Sequence, residues 1–209
     1  SGFVYGVCFK NTASTGGTEA IFTVLKEFDY DIPGVVIVQH MPPKFTAMYA
    51  DRLNEKCRVQ VKEAENGDMV LPGQVLIAPG GDAHMRVVKK NGGYQVVIKQ
   101  GEKVNGHCPS VDVLFDSVAE AAGKNAVYAC KMMAVPSRHS LSVSAARRRL
   151  SGFKGLKAMR DKGARTIGQD ESTCVVYGMP KVAYDIEAVE FQEKLPDIAK
   201  RTYKVLGKM

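Results

Sequence analysis

Short apolar runs and apolar positions at helical spacing take turns along this chain. Phe3 to Phe9 is a brief run of β-branched, aromatic and small residues that leads into small polar residues and two glycines, the pattern of a buried strand. From Thr18 the residues Ala20, Ile21, Val24, Leu25 and Phe28 recur at helical spacing, with Thr18 suited to cap the helix and Glu19 to its first turn. The alternation then repeats. Val35-Val36-Ile37-Val38 follows Pro33-Gly34 as a continuous apolar run, and Phe45 to Leu53 reads as a second short helix. Val59-Gln60-Val61-Lys62 and Val75-Leu76-Ile77-Ala78 are further strands. Val87-Val88 and Tyr94-Gln95-Val96-Val97-Ile98 flank Asn91-Gly92-Gly93, a good hairpin turn, so one antiparallel ribbon is expected. Val111 to Ala122 reads as helix, and a buried strand begins at Ala126 within Ala126 to Val135. Leu156 to Lys162 reads as a helix ended by Gly163, and Thr166 to Gln169 as another strand, with the C-terminal segment closing the fold.

Strands that alternate with helices, and are apolar enough to be covered on both faces, predict an α/β fold. It is doubly wound, a mostly parallel sheet with helices on both faces and an antiparallel hairpin. The 209 residues fit a single domain, 1–209, and a composition 45% hydrophobic and 24% charged excludes a disordered chain. No stretch approaches the roughly 18 apolar residues that span a bilayer, and Ser1-Gly2-Phe3-Val4-Tyr5-Gly6 lacks a basic region followed by an apolar one. Neither membrane insertion nor export is expected. Five cysteines, odd in number, widely spread and never in a C-x-x-C pair, point to a reduced, cytoplasmic setting. The four histidines show no H-x-x-x-H spacing, so no metal site is expected. The net charge of +7 is local: nine basic residues and no acidic one lie between Ala121 and Arg160, and the remainder is slightly acidic. A nucleic-acid-binding surface would spread its charge more widely, and none is expected.

In open parallel sheets, sites form where loops leave the carboxyl ends of the strands. One such loop, Ala13-Ser14-Thr15-Gly16-Gly17, places a hydroxyl just before a helix whose first amides can stabilise an oxyanion. Another, Gln39-His40-Met41-Pro42-Pro43, places an imidazole at the equivalent edge. A serine hydroxyl is a weak nucleophile at neutral pH, and needs a base within hydrogen-bond reach; adjacent strand ends can supply that proximity. Each loop alone also has a plainer reading, the first as a turn and cap and His40 as a hydrogen-bonded structural group. Gly16 and Gly17 are also compatible with a phosphate cradle, but neither G-x-x-x-x-G-K nor G-x-G-x-x-G spacing is present.

The words Ser14-Thr15-Gly16-Gly17-Thr18-Glu19-Ala20, Val38-Gln39-His40-Met41-Pro42-Pro43 and Phe45-Thr46 resemble the catalytic domain of CheB-type chemotaxis receptor methylesterases. Further segments are similar to the family in the family's order. They are Val61-Lys62-Glu63-Ala64-Glu65, Ile77-Ala78-Pro79-Gly80, His84-Met85, Pro109 to Phe115 and Thr173 to Pro180. The resemblance implies a protein-glutamate methylesterase that needs no cofactor, hydrolyses γ-methyl esters on chemoreceptor cytoplasmic domains, and deamidates certain receptor glutamines. It makes Ser14 the nucleophile, His40 the general base and the backbone amide of Thr15 an oxyanion donor. It also places Met41, Pro42, Met179 and Pro180 near the cleft, where ordinary packing explains them equally well. Family members usually carry an N-terminal receiver domain over the cleft; this chain is expected to begin at the catalytic domain.

One departure stands out. The family's triad aspartate lies in a Gly-Met-Gly-x-Asp-Gly loop after the strand that begins here near Ala126, and that loop is absent. The chain instead reads Tyr128-Ala129-Cys130-Lys131-Met132-Met133-Ala134-Val135-Pro136-Ser137-Arg138-His139 and runs through Arg147-Arg148-Arg149 before family-like text resumes at Lys154-Gly155-Leu156. No carboxylate lies between Glu120 and Asp161, so the triad acid is not identified. An insertion with a new role, degeneration and a shifted reading frame all fit this window. The alternative function is a catalytically impaired receptor-binding or scaffold domain.

Overall fold

The structure, a computed structural model, describes residues 4–10, 15–132, 153–174 and 178–208. Nine strands are described: β1 (Val4–Lys10), β2 (Gly34–Gln39), β3 (Gln60–Glu63), β4 (Gln74–Ile77), β5 (Ala83–Lys90), β6 (Gly93–Gln100), β7 (Ala126–Met132), β8 (Arg165–Gln169) and β9 (Phe191–Glu193). The helices are α1 (Thr15–Leu25), α2 (Phe45–Lys56), α3 (Val111–Ala121), α4 (Phe153–Asp161), α5 (Gly178–Asp185) and α6 (Ile198–Val205).

Seven strands form one sheet in the order β3-β4-β2-β1-β7-β8-β9, every pair parallel. The expected α/β architecture is the one observed. The apolar run of β2 is buried at all six positions, and its successive residues serve opposite layers as the two-residue period of a strand requires. Val36 and Val38 join a core with Leu76 of β4, Leu114 and Phe115 of α3, Leu156 and Met159 of α4, and Ala183 of α5. Val35 and Ile37 join the opposite core with Ile21 and Leu25 of α1, Phe28, Leu53 of α2 and Ile198 of α6. Fully burying each such aliphatic or aromatic side chain contributes about 1.5–3 kcal/mol, so the sheet is held from both faces.

The expected ribbon is β5 paired antiparallel with β6, turned at Asn91 and Gly92, whose φ values of 50° and 77° are those a two-residue type I′ turn needs. Met85, Val87, Tyr94 and Val96 lay it on the α3 side of the core. Ser117 of α3 fixes it there by accepting from Val87 N at 3.0 Å and donating to Leu114 O at 2.7 Å.

Several boundaries shift by a few residues from the sequence reading, and two of them bear on the site. Helix α1 starts at Thr15, so Thr18 lies inside its first turn and is not the cap, and Glu19 follows that turn. The reading placed Gly16 and Gly17 in the loop before the helix; the low helix propensity of glycine is a weak prior that tertiary context overrides here. Gly17 is in fact buried within the helix. The strand begun at Ala126 is described to Met132, and its expected continuation to Val135 lies outside the described residues.

Candidate active site

Chain order and sheet order diverge at β1. From β1 the chain moves to β2 on one side, while β7 takes the other side much later in sequence. That is the switch point where doubly wound folds open a crevice at the carboxyl ends of their strands. The registers Phe9↔Gln39 and Lys10↔Met132 bring the ends of β1, β2 and β7 level with one another. What leaves this edge is the chemistry-bearing text: residues 11–14 after β1, His40 after β2, and residues 133–152 after β7.

Ser14 lies outside the described residues, so its distance to His40 is not part of this geometry. Thr15 is the first residue of α1, where the first backbone amides have no acceptor within the helix and are available to an anion. His40 follows Gln39 directly, half-buried, with both ring nitrogens shielded from solvent. Met41 packs against the α1 and α2 layer, whereas Pro42 is exposed. Met179 and Pro180 fall in the first turn of α5. The segment after β7 that carries Arg138, His139 and Arg147-Arg148-Arg149 lies outside the described residues.

Three contacts hold the His40 loop and its surroundings. Gly80, just past β4, packs so closely beneath this loop that a Cβ there would stand 2.5 Å from Met41 O and 2.9 Å from Pro42 O. Gly80 N in turn donates to Thr46 Oγ1 at 3.1 Å, and the same buried hydroxyl donates to Glu63 Oε1. One threonine of α2 thereby ties the ends of β3 and β4. Finally, Tyr49 of α2 donates to Thr18 O in the first turn of α1 at 2.8 Å, joining the helix after the Ser14 loop to the helix after the His40 loop. Burial pushes the Tyr49 phenol well above its ordinary range, so it stays a protonated donor throughout the working pH range.

Sequence reasoning missed a fourth partner. The ring of His107 stacks on that of His40, with centroids 4.4 Å apart and planes 15° from parallel. The two histidines are distant in sequence and no local pattern links them. On the solvent side, Phe45 and Met48 stand 56% and 66% exposed on the first turns of α2, forming an apolar rim beside the His40 loop. Among the described residues no group of three or more His, Cys, Asp or Glu side chains is arranged to hold a metal ion, and no helix is long and apolar enough to cross a membrane.

Comparison with known proteins agrees with this geometry. The chain is 54% identical over 197 residues to a protein-glutamate methylesterase/protein-glutamine glutaminase of Syntrophomonas wolfei, covering 94% of this chain and 53% of that protein. It is 47% identical over 195 residues to a protein of the same name from Syntrophotalea carbinolica, covering 93% and 51%. The chain thus spans about half the length of these relatives. The crystal structure of the Thermotoga maritima CheB methylesterase catalytic domain superposes with a TM-score of 0.83 at 29% identity, covering 98% of this chain and 99% of that one. The CheB methylesterase family model matches residues 12–132 and 149–202, skipping 133–148, the stretch where the family-like text breaks off after β7. With the Ser14 loop, the His40 loop and both flanks of that gap inside the match, the chain belongs to the CheB methylesterase family.

Proposed function

We propose that this chain is the catalytic portion of a protein-glutamate methylesterase, a serine-dependent carboxylic ester hydrolase that also deamidates receptor glutamines. Its relatives carry both activities in their names, and they are hydrolases. In this reading Ser14 Oγ attacks the γ-carbonyl carbon of a methylated receptor glutamate as His40 takes its proton. The oxyanion is received by the Thr15 amide at the start of α1. The tetrahedral intermediate collapses, the ester C–O bond breaks, and His40 returns the proton to the departing methoxide, which leaves as methanol. Water, deprotonated by His40, then attacks the glutamyl ester, and the proton goes back to Ser14 as free glutamate is released.

The observation that carries this reading is the β1–β2 register, which sets the loop bearing Ser14 and the loop bearing His40 on adjoining strand ends. The Tyr49–Thr18 bond between the following helices supports the same placement. Met41 and Pro42, with Met179 and Pro180 on α5, are proposed to line the cleft. The exposed Phe45 and Met48 suit a helical protein substrate better than a small soluble ester. The proposed partners are the cytoplasmic domains of methylated chemoreceptors, the proposed location is the cytoplasm, and a receiver domain is proposed for the longer protein. Nothing in the comparisons favours a scaffold without activity.

Methanol release from methylated receptor tests this reading. The chain is expected to release methanol, and Ser14→Ala and His40→Ala are each expected to abolish release above background. A rate from Ser14→Ala equal to that of the unsubstituted chain would overturn it.

A further inference from the structure

The stacked partner of His40 sits on an unusually well-fixed mount. His107 closes a two-residue turn: Val104 N donates to His107 O and His107 N to Val104 O, each at 3.1 Å. Asn105 and Gly106 between them have φ values of 54° and 84°, the left-handed pair of a type I′ turn. Asn105 Nδ2 pegs the turn to α3 through Asp112 Oδ2 at 2.9 Å. At the base, one buried imidazole clamps both ends of the loop. His84 Nδ1 accepts from Ser110 N at 3.1 Å, which leaves the ring proton on Nε2, and Nε2 donates to Glu102 O at 2.8 Å. His84 is only 6% exposed. Neither strand of the loop can shift without breaking one of these bonds, so the position of the His107 backbone is set.

We propose that His107 is a positioning residue that fixes the plane of the His40 imidazole. The inference rests on the reading of His40 as the general base. A histidine acting as base must present one ring nitrogen to the hydroxyl while the other faces its orienting partner, so rotation about its χ2 bond is what an orienting acid normally suppresses. A ring held face to face at 4.4 Å suppresses the same rotation without itself occupying the edge of the His40 ring. In a chain with no carboxylate between Glu120 and Asp161, this stack supplies orientation from a different element, the loop before α3.

Two substitutions in the chain test this, each read by methanol release and by the NMR signals of the His40 ring protons. Stacking places those protons in the ring current of the neighbour and moves them upfield. His107→Ala is expected to lower kcat about tenfold with KM unchanged, the scale of one aromatic pair, and to move the His40 signals downfield. His107→Phe keeps a flat ring and is expected to restore kcat to within about threefold and to return the upfield shift. A His107→Ala variant with the original kcat, or His40 signals that do not move, would overturn the inference, as would His107→Phe behaving like His107→Ala. If the unsubstituted chain releases no methanol, the esterase reading fails by itself, and the ring signals still decide whether His107 holds His40.

Discussion

Replacing Gly80 by alanine probes how tightly the His40 loop is held. The added Cβ would lie 2.5 Å from Met41 O, 2.9 Å from Pro42 O and 3.0 Å from Pro42 C, all backbone atoms. The first of these is roughly 1 Å inside ordinary non-bonded contact. No flexible side chain is available to yield, and Gly80 is not among the residues with positive φ, so the cost is steric. Either the end of β4 or the segment directly after His40 must move. If β4 moves, the Gly80 N bond to Thr46 Oγ1 stretches; if the loop moves, the imidazole is displaced from its station. Overpacking of this kind costs about 1–3 kcal/mol, which lowers Tm by roughly 2–12 °C in a chain of this size. A displacement approaching 1 Å at a catalytic group costs about 100-fold, so a kcat loss of about 10- to 100-fold is expected. Thermal unfolding followed by circular dichroism and methanol release from methylated receptor measure the two effects. A Gly80→Ala variant with unaltered Tm and kcat would refute the claim that this glycine's bareness holds the loop in place.

Other positions give independent checks. Thr46→Val keeps the shape but removes the hydroxyl shared by Gly80 N and Glu63, and is expected to destabilise by about 1–3 kcal/mol in urea unfolding. Tyr49→Phe removes the bond to Thr18 O and should cost about 1 kcal/mol, with a larger effect on kcat than on KM because it loosens the two site-bearing helices relative to each other. Burial pushes the Cys57 thiol up to about 11, so its alkylation by iodoacetamide should show a midpoint near that pH. Because the folded value is raised, the stability contributed by the neutral thiol is complete below the ordinary thiol value and is lost as pH rises through about 11. An alkylation midpoint at the ordinary value would contradict this burial.

Much of the fold was legible because its signals are local. The run Val35-Val36-Ile37-Val38 reads as a strand because a central parallel strand is buried on both faces, and Asn91-Gly92 reads as a turn because few other pairs tolerate two left-handed residues. The C-terminal elements were left undivided. Ile198, Ala199 and Thr202 of α6 do carry helical spacing, but β9 is three residues on the sheet edge, none of them buried, too short for an alternation to be read. At the site, Ser14 and His40 were nominated from strand-end loops and family-like words, and His40 directly follows β2. Its mounting was not legible. Asn105-Gly106 carries the same turn signature as Asn91-Gly92, but lacks flanking hydrophobic alternation, and the stack of His107 on His40 is a tertiary contact. Gly80 was noted only as part of a family-like word; its closeness to Met41 exists only once β4 lies beside β2.

The central claim is that a hydroxyl from the loop after β1 is activated by the imidazole after β2. Fluorophosphonate labelling followed by peptide mass spectrometry tests it directly, because the reagent forms a bond only with an activated serine oxygen. The account predicts a single modified residue, Ser14, labelled at least 100-fold more slowly in His40→Ala. Labelling of a different serine, or an unchanged Ser14 rate without His40, would contradict it.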